Sequence, residues 1–194
     1  MSASQKSTPM LRVAGIAGSF RAGSYNRALL RAAQELVPPT MTIVIEDLTP
    51  LPLFNQDLDV VRVPDPIARL RAAVRTADGV LFATPEYNHG VPGVLKNAID
   101  WLSQPLKGSA LDRKPIAMMG ASTGLAGTAR GQMQLRQAFV LTNSPAMLQP
   151  EVLVGRAQER FDADGKLTDE PTRRFVAGFL LNFAAWIEQH RVPD

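Results

Sequence analysis

Short β-rich apolar runs alternate with helix-periodic segments along nearly the whole of this 194-residue chain. That alternation constrains the fold more than any other feature, because buried strands separated by helices build βαβ units around a parallel sheet with helices on both faces. The spacing predicts strands at residues 11–18 (LRVAGIAG), 41–46 (MTIVIE), 80–84 and 115–120 (PIAMMG), with a fifth inside 145–153. Helices fall between them. The first spans 25–37 with Leu29, Ala33, Leu36 and Val37 on one face, and stops before Pro38-Pro39. Ile67, Leu70 and Val74 mark the next, and residues 91–102 carry Leu95, Ile99 and Leu102 in register. Another passes through Leu135 and Phe139, and the last sets Phe175, Phe179, Phe183 and Ile187 at four-residue steps. Residues 48–64, with prolines at 50, 52 and 64, read as one long loop, a length that in a compact domain is usually functional or flexible.

Five strands with intervening helices admit half a Rossmann sheet or the flavodoxin-like order 2-1-3-4-5. The second fits better, and the expected fold is an α/β three-layer sandwich: a five-stranded parallel sheet with helices on both faces. In that order the winding reverses between strands 1 and 3, so the loops leaving them line one ligand crevice. Residues 10–194 are expected to form a single domain, preceded by a polar, disordered tail at 1–9 (MSASQKSTP).

Composition removes whole classes of chemistry. With no cysteine there is no disulfide framework, thiol nucleophile, iron–sulfur cluster or thiolate zinc site, and two histidines do not make a multi-histidine metal site. A net charge of +3 without any run of like charge is too weak a field to read as nucleic-acid binding. No stretch is long and apolar enough for a bilayer and no signal peptide is legible, so a cytoplasmic location is expected.

The loop after the first strand, Gly18-Ser19-Phe20-Arg21-Ala22-Gly23-Ser24-Tyr25-Asn26, carries short hydroxyl and amide side chains into a helix N-terminus, a ready anion site. Arg21 adds a permanent charge able to grip two phosphate oxygens. Gly18 and Gly23 have P-loop spacing, but Ser24 stands where the lysine belongs, and the dinucleotide fingerprint is absent. The remaining reading is a loop that holds a phosphate monoester without acting on it. Helix capping by Ser24 or Asn26 is the lesser alternative. The loop after strand 3, TPEYNHGVPG at 84–93, has prolines and glycines that set its backbone, as the polar edge of a planar heterocycle requires. His89 is either an acid–base group or an ordinary loop histidine. ASTGLAG at 121–127 leaves strand 4 with small residues and Ser122.

GSFRAGSYN, TPEYNHGVPGVLKNAIDWLS and GASTGLAGTARGQMQLRQ together resemble the NADPH-dependent FMN reductase family, over nearly the whole chain after the tail and including LPLFNQDL at 51–58. The resemblance implies FMN as cofactor, its phosphate on Ser19, Arg21, Ser24, Tyr25 and Asn26. It sets the ring edge against Pro85, Glu86, Tyr87 and Asn88, with Ser122 and Gly124 beside it. NADPH or NADH would be the donor, and quinones, azo compounds, free flavin or metal oxyanions the small-molecule acceptors. The family also implies a homodimer, possibly pairing into a tetramer, with sites near the subunit boundary; Trp101 is a candidate for that interface. Two departures, Thr128 where relatives carry a second glycine and Gly131 where alanine is usual, are expected on the rim of the site.

No side chain is expected to be catalytic, because the flavin itself carries hydride chemistry. Donor and acceptor would share one open pocket in turn, giving ping-pong kinetics, with Arg130 and residues 48–64 as rim elements for donor phosphates. A flavodoxin-type electron carrier is the alternative, disfavoured by the basic charge, and a ligand-sensing module is the third class, disfavoured by Arg21 and the intact PEYN loop.

Overall fold

The computed structural model describes residues 10–105 and 107–191; the tail expected at 1–9 lies outside them. The elements run β1 (Leu11–Ala17), α1 (Tyr25–Leu36), β2 (Met41–Glu46), α2 (Gln56–Val61), α3 (Asp65–Thr76), β3 (Gly79–Ala83), α4 (Gly93–Leu102), β4 (Ile116–Ala121), α5 (Ala129–Ala138), β5 (Val152–Val154) and α6 (Glu170–His190), with a 3₁₀ turn at Ala157–Glu159. The sheet is parallel throughout in the order β2-β1-β3-β4-β5, as the winding argument requires. The two central strands, GVLFA and IAMMGA, are buried at every residue, which explains why they read as continuous apolar runs rather than alternating ones. Edge strand β2 is half exposed.

Helices cover both faces. On one, Leu29 and Leu30 of α1 pack with Phe179, Phe183 and Ile187 of α6. On the other, Leu70 and Val74 of α3, Leu95 and Ile99 of α4 and Leu135 of α5 close a second apolar layer. The chain ends of the helices follow the local chemistry: Ser24 caps α1 by accepting from the Arg27 N–H at 3.3 Å, and α1 stops short of the two prolines.

Four expectations are corrected. The segment 48–64 is not all loop: Asn55 caps α2 through the Asp57 N–H, and Asp59 on α2 receives two bonds from Arg71 of α3, at 2.6 and 3.0 Å. Arg71 is itself buried, so this pair fastens α2 against the body. The fifth strand is shorter and later than expected, because Ala146 makes only an isolated bridge to Ile116 before the chain reaches Val152. Trp101 is fully buried, its indole N–H bonded to the Pro52 carbonyl at 2.9 Å and its ring edge-on to Phe54, so it is a core residue and no interface contact. Phe175 is half exposed; Val176 fills the buried position in that turn of α6.

Candidate cofactor and substrate crevice

Three loops meet at the carboxyl ends of β1, β3 and β4, and close packing fixes their approach. Gly18 ends β1 against the chain leaving β3: a Cβ on it would stand 3.1 Å from both Pro85 and Pro92. Its N–H donates to the Ala83 carbonyl at 2.9 Å. Asn26 then ties the first loop to β4, with its Nδ2 donating to the Ala121 carbonyl and its Oδ1 accepting the Ala121 N–H, both at 2.9 Å. The reason lies in the sheet ladder. Val80 and Thr84 donate to Pro115 and Met119, so continued pairing would bring Glu86 to Ala121. Pro85 turns β3 away before that bond forms, and the buried Asn26 amide occupies the vacant register.

Within the first loop, Ser19 and Ser24 are buried and Arg21 is exposed. The Ser19 hydroxyl accepts the Arg21 N–H at 3.4 Å. The Arg21 guanidinium curls back over the loop, with Nη1 3.6 Å from where a Cβ on Gly23 would stand, and it makes no ion pair among the described residues. The N–H groups of Gly23, Tyr25 and Asn26 likewise donate to no group there. Free helix-terminal amides beneath an unpaired arginine are the donor set that a phosphate dianion fits. Tyr25 turns its ring the other way, onto Phe161 at 5.5 Å. Of the five residues expected around the phosphate, Ser19, Arg21 and Ser24 carry their polar side chains within this loop, while Asn26 and the Tyr25 ring hold the loop in place.

The second loop is a two-residue hairpin. Tyr87 and Gly90 exchange N–H···O bonds at 3.1 and 2.9 Å, and Asn88 and His89 between them have φ of +50° and +62°, the left-handed pair that such a turn demands. His89 is at the exposed tip of this turn, which accounts for its position without chemistry. Pro85 is buried and Tyr87 half exposed. Glu86 faces α5: its carboxylate accepts the Gly131 N–H at 3.0 Å and pairs with Arg130 at 3.5 Å. Gln134, one turn further along α5, accepts the Val91 N–H at 2.6 Å. Nothing in the sequence marks Gln134 for this task, because a side chain meeting a backbone N–H 43 residues away has no local signature.

In the third loop the Ser122 hydroxyl accepts the Gly124 N–H at 3.2 Å, and the Gly124 carbonyl accepts from Arg156. The two departures from the family pattern are not on the rim. Thr128 is fully buried, and Gly120 exists to admit it: a Cβ at 120 would stand 1.8 Å from the Thr128 hydroxyl and 2.5 Å from the Thr84 carbonyl. Gly131 is also buried, under the second loop, where a Cβ would press on the Gly90 and Pro85 carbonyls at 3.3 and 3.4 Å.

The family model described as NADPH-dependent FMN reductase matches residues 11–159, a span that holds all three loops. The chain belongs to that family. This FMN reductase is 44% identical to an NAD(P)H-dependent FMN reductase of Pseudomonas aeruginosa over 93% of its own length and 97% of the relative's. It is 41% identical to a quinone reductase of Pseudomonas putida, covering 92% and 96% of the two chains. The solved structure of a flavoenzyme NAD(P)H:(acceptor) oxidoreductase from Paracoccus denitrificans superposes with a TM-score of 0.87 at 35% identity, over 94% of this chain and 100% of that one. The reductase is thus a flavodoxin-like oxidoreductase of the FMN- and NAD(P)H-dependent kind. Among its described residues, no helix is long and apolar enough to cross a membrane.

Proposed function

We propose that this FMN reductase passes hydride equivalents from NAD(P)H to quinones, with residues 10–194 acting as one domain. The observation that carries the reading is the unpaired Arg21 over free amides at the start of α1, at the point where the sheet reverses direction. FMN, when bound, supplies hydride acceptance and two-electron delivery. The chain supplies binding and exclusion. Arg21, the hydroxyls of Ser19 and Ser24 and the N–H groups of Gly23, Tyr25 and Asn26 hold the phosphate. The turn Pro85 to Asn88 and the Ser122–Gly124 turn border the ring, with Tyr87 available as a wall. Donor and acceptor use the same open side of the crevice in turn, which is the basis for ping-pong kinetics. Azo compounds, free flavin and metal oxyanions are further acceptors that such an open site admits.

The assembly in this reading is a homodimer, with a tetramer as its doubled form, in the cytoplasm. Exposed Met133, Val140 and Leu141 give the α5 side of the site an apolar surface suited to that contact. The deciding experiment is a visible spectrum of the protein loaded with FMN, followed by anaerobic NADH or NADPH and then a benzoquinone. Bleaching by the donor and recovery by the quinone is the expected result; a protein that cannot be loaded with FMN, or whose bound flavin neither donor bleaches, refutes it.

A further inference from the structure

A cavity of about 350 Å³ lies on the far side of the phosphate loop, between the ends of β1 and β2. Its walls include Ser19, Phe20, Arg27, Glu46, Asp47 and Thr49. It shares Ser19 with the proposed phosphate loop and is otherwise lined by different residues. Phe20 stands 48% exposed at the edge, a large flat apolar face held out of the core. Glu46 ends β2 in register with Ile16 of β1, and its half-buried carboxylate has no hydrogen bond or ion pair among the described residues. Burial raises its pKa, the mark of an acceptor short of donors. Asp47 beside it accepts the Thr49 N–H at 2.9 Å, and that contact with Thr49 and the charge of Arg27 hold it below the usual carboxylate range.

An aromatic face, an arginine and two carboxylates, of which Glu46 has no donor among the described residues, around one cavity match the three parts of an adenosine diphosphate: purine, phosphate and ribose diol. The position matches as well. Glu46 closes β2 at the carboxyl end of the sheet, the side on which open α/β sheets bind their ligands. From the loop after β4 to the end of β2 is three strand spacings, roughly 14 Å, a separation that an extended dinucleotide bridges while its nicotinamide lies at the ring loops.

We propose that this cavity is the adenosine subsite for the nicotinamide donor, and that Glu46 and Asp47 select NADH over NADPH by binding the ribose hydroxyls and repelling a 2′-phosphate. The inference rests on the reductase reading given above. It departs from the NADPH preference that the family description carries.

The test uses the FMN-loaded protein. Calorimetry compares ADP with ADP phosphorylated at the 2′ oxygen, in the natural protein, in Phe20→Ala and in the double variant Glu46→Gln with Asp47→Asn. ADP is expected to bind at least about tenfold tighter than its 2′-phosphorylated form, since like charge set against a bound ligand disfavours it strongly. The double variant brings the two within about threefold, and the ratio of kcat/KM for NADH over NADPH falls by the same factor. Phe20→Ala weakens both ligands about fivefold or more, and NADH displaces ADP competitively. Equal affinities in the natural protein, a ratio unmoved by the double variant, or ADP binding that NADH does not displace overturns the proposal. Calorimetry needs no turnover, so a flavin bleached by neither donor fails the reductase reading while the ADP ratio still passes or fails the subsite.

Discussion

Asn26 and Arg21 stand five residues apart in one loop; Asn26 is bonded within the protein and Arg21 is proposed to hold the FMN phosphate, and a pair of substitutions separates the two roles. Asn26→Ala deletes two buried hydrogen bonds and leaves the Ala121 N–H and carbonyl without partners at the end of β4. An orphaned buried backbone group costs about 1–3 kcal/mol, so the pair costs about 2–6 kcal/mol. For a chain of this size each kcal/mol moves the melting temperature by about 2–4 °C, and the FMN-free variant should melt about 4–24 °C lower. Arg21 is exposed and unpaired, so Arg21→Ala should leave the FMN-free melting point within about 2 °C. Its loss falls on the ligand. A charge-assisted bond to phosphate contributes about 1.5–3 kcal/mol, which raises the FMN dissociation constant about 10- to 150-fold. Differential scanning fluorimetry of the FMN-free proteins reads the first effect and a flavin fluorescence titration the second. An Asn26→Ala protein that melts like the natural one yet releases FMN would make Asn26 a ligand and refute the ladder argument; an Arg21→Ala protein with unchanged FMN affinity would remove the phosphate assignment.

Gly120→Ala sets a methyl group into the Thr128 hydroxyl and the Thr84 carbonyl, and overpacking of this kind costs about 1–3 kcal/mol or more. Adding Thr128→Gly should recover part of that loss, because the Thr84 backbone contact remains; urea midpoints measure both. Gln134→Ala frees the Val91 N–H at a solvent-exposed edge, so stability should change by under about 1 kcal/mol. Hydrogen exchange across residues 87–91 should quicken, with FMN bound about three- to tenfold more weakly, and unchanged exchange would mean that the hairpin holds itself. Glu46 has a raised pKa through burial, so its folded form binds protons more readily than the unfolded chain: its contribution to stability is present below pH 4.5 and is lost as pH rises through the folded value. Glu46→Gln should therefore be more stable than the natural protein at pH 7, with the gap closing near pH 4, as denaturation midpoints at the two pH values will show.

The strands and their order were legible because each central strand is buried on both faces and must be apolar at every residue, a constraint that overrides local propensity. The 48–64 segment was not, because what makes α2 persist is the Asp59–Arg71 pair, a contact between residues 12 apart that no periodicity records. A similar limit applies to Trp101. A tryptophan in a helix with apolar residues all round reads as surplus to one buried face, and only the Pro52 carbonyl and the Phe54 ring, arriving from the irregular stretch before α2, supply the second face that buries it.

The site divides along the same line. Residue types point to the proposed phosphate cradle, an arginine among small polar residues at a helix start, but they do not say which polar side chains are free for a ligand and which are bonded within the protein. Asn26 and Ser24 have the same local grammar; the difference between them is set by where β3 stops, and that depends on Pro85, which lies in a different loop. Thr128 makes the converse case. Read singly it is a departure at a glycine position and belongs on a rim; beside Gly120 it becomes half of a packing pair, the small residue on β4 making room for the larger one at the entry to α5. The hydroxyl that fills this space also accepts from Gln132, whose second donor bond reaches the Val152 carbonyl on β5. Exchanging the volumes of 120 and 128 would thus disturb the spacing of β4, α5 and β5 together, and with it the floor on which the Ser122–Gly124 turn stands.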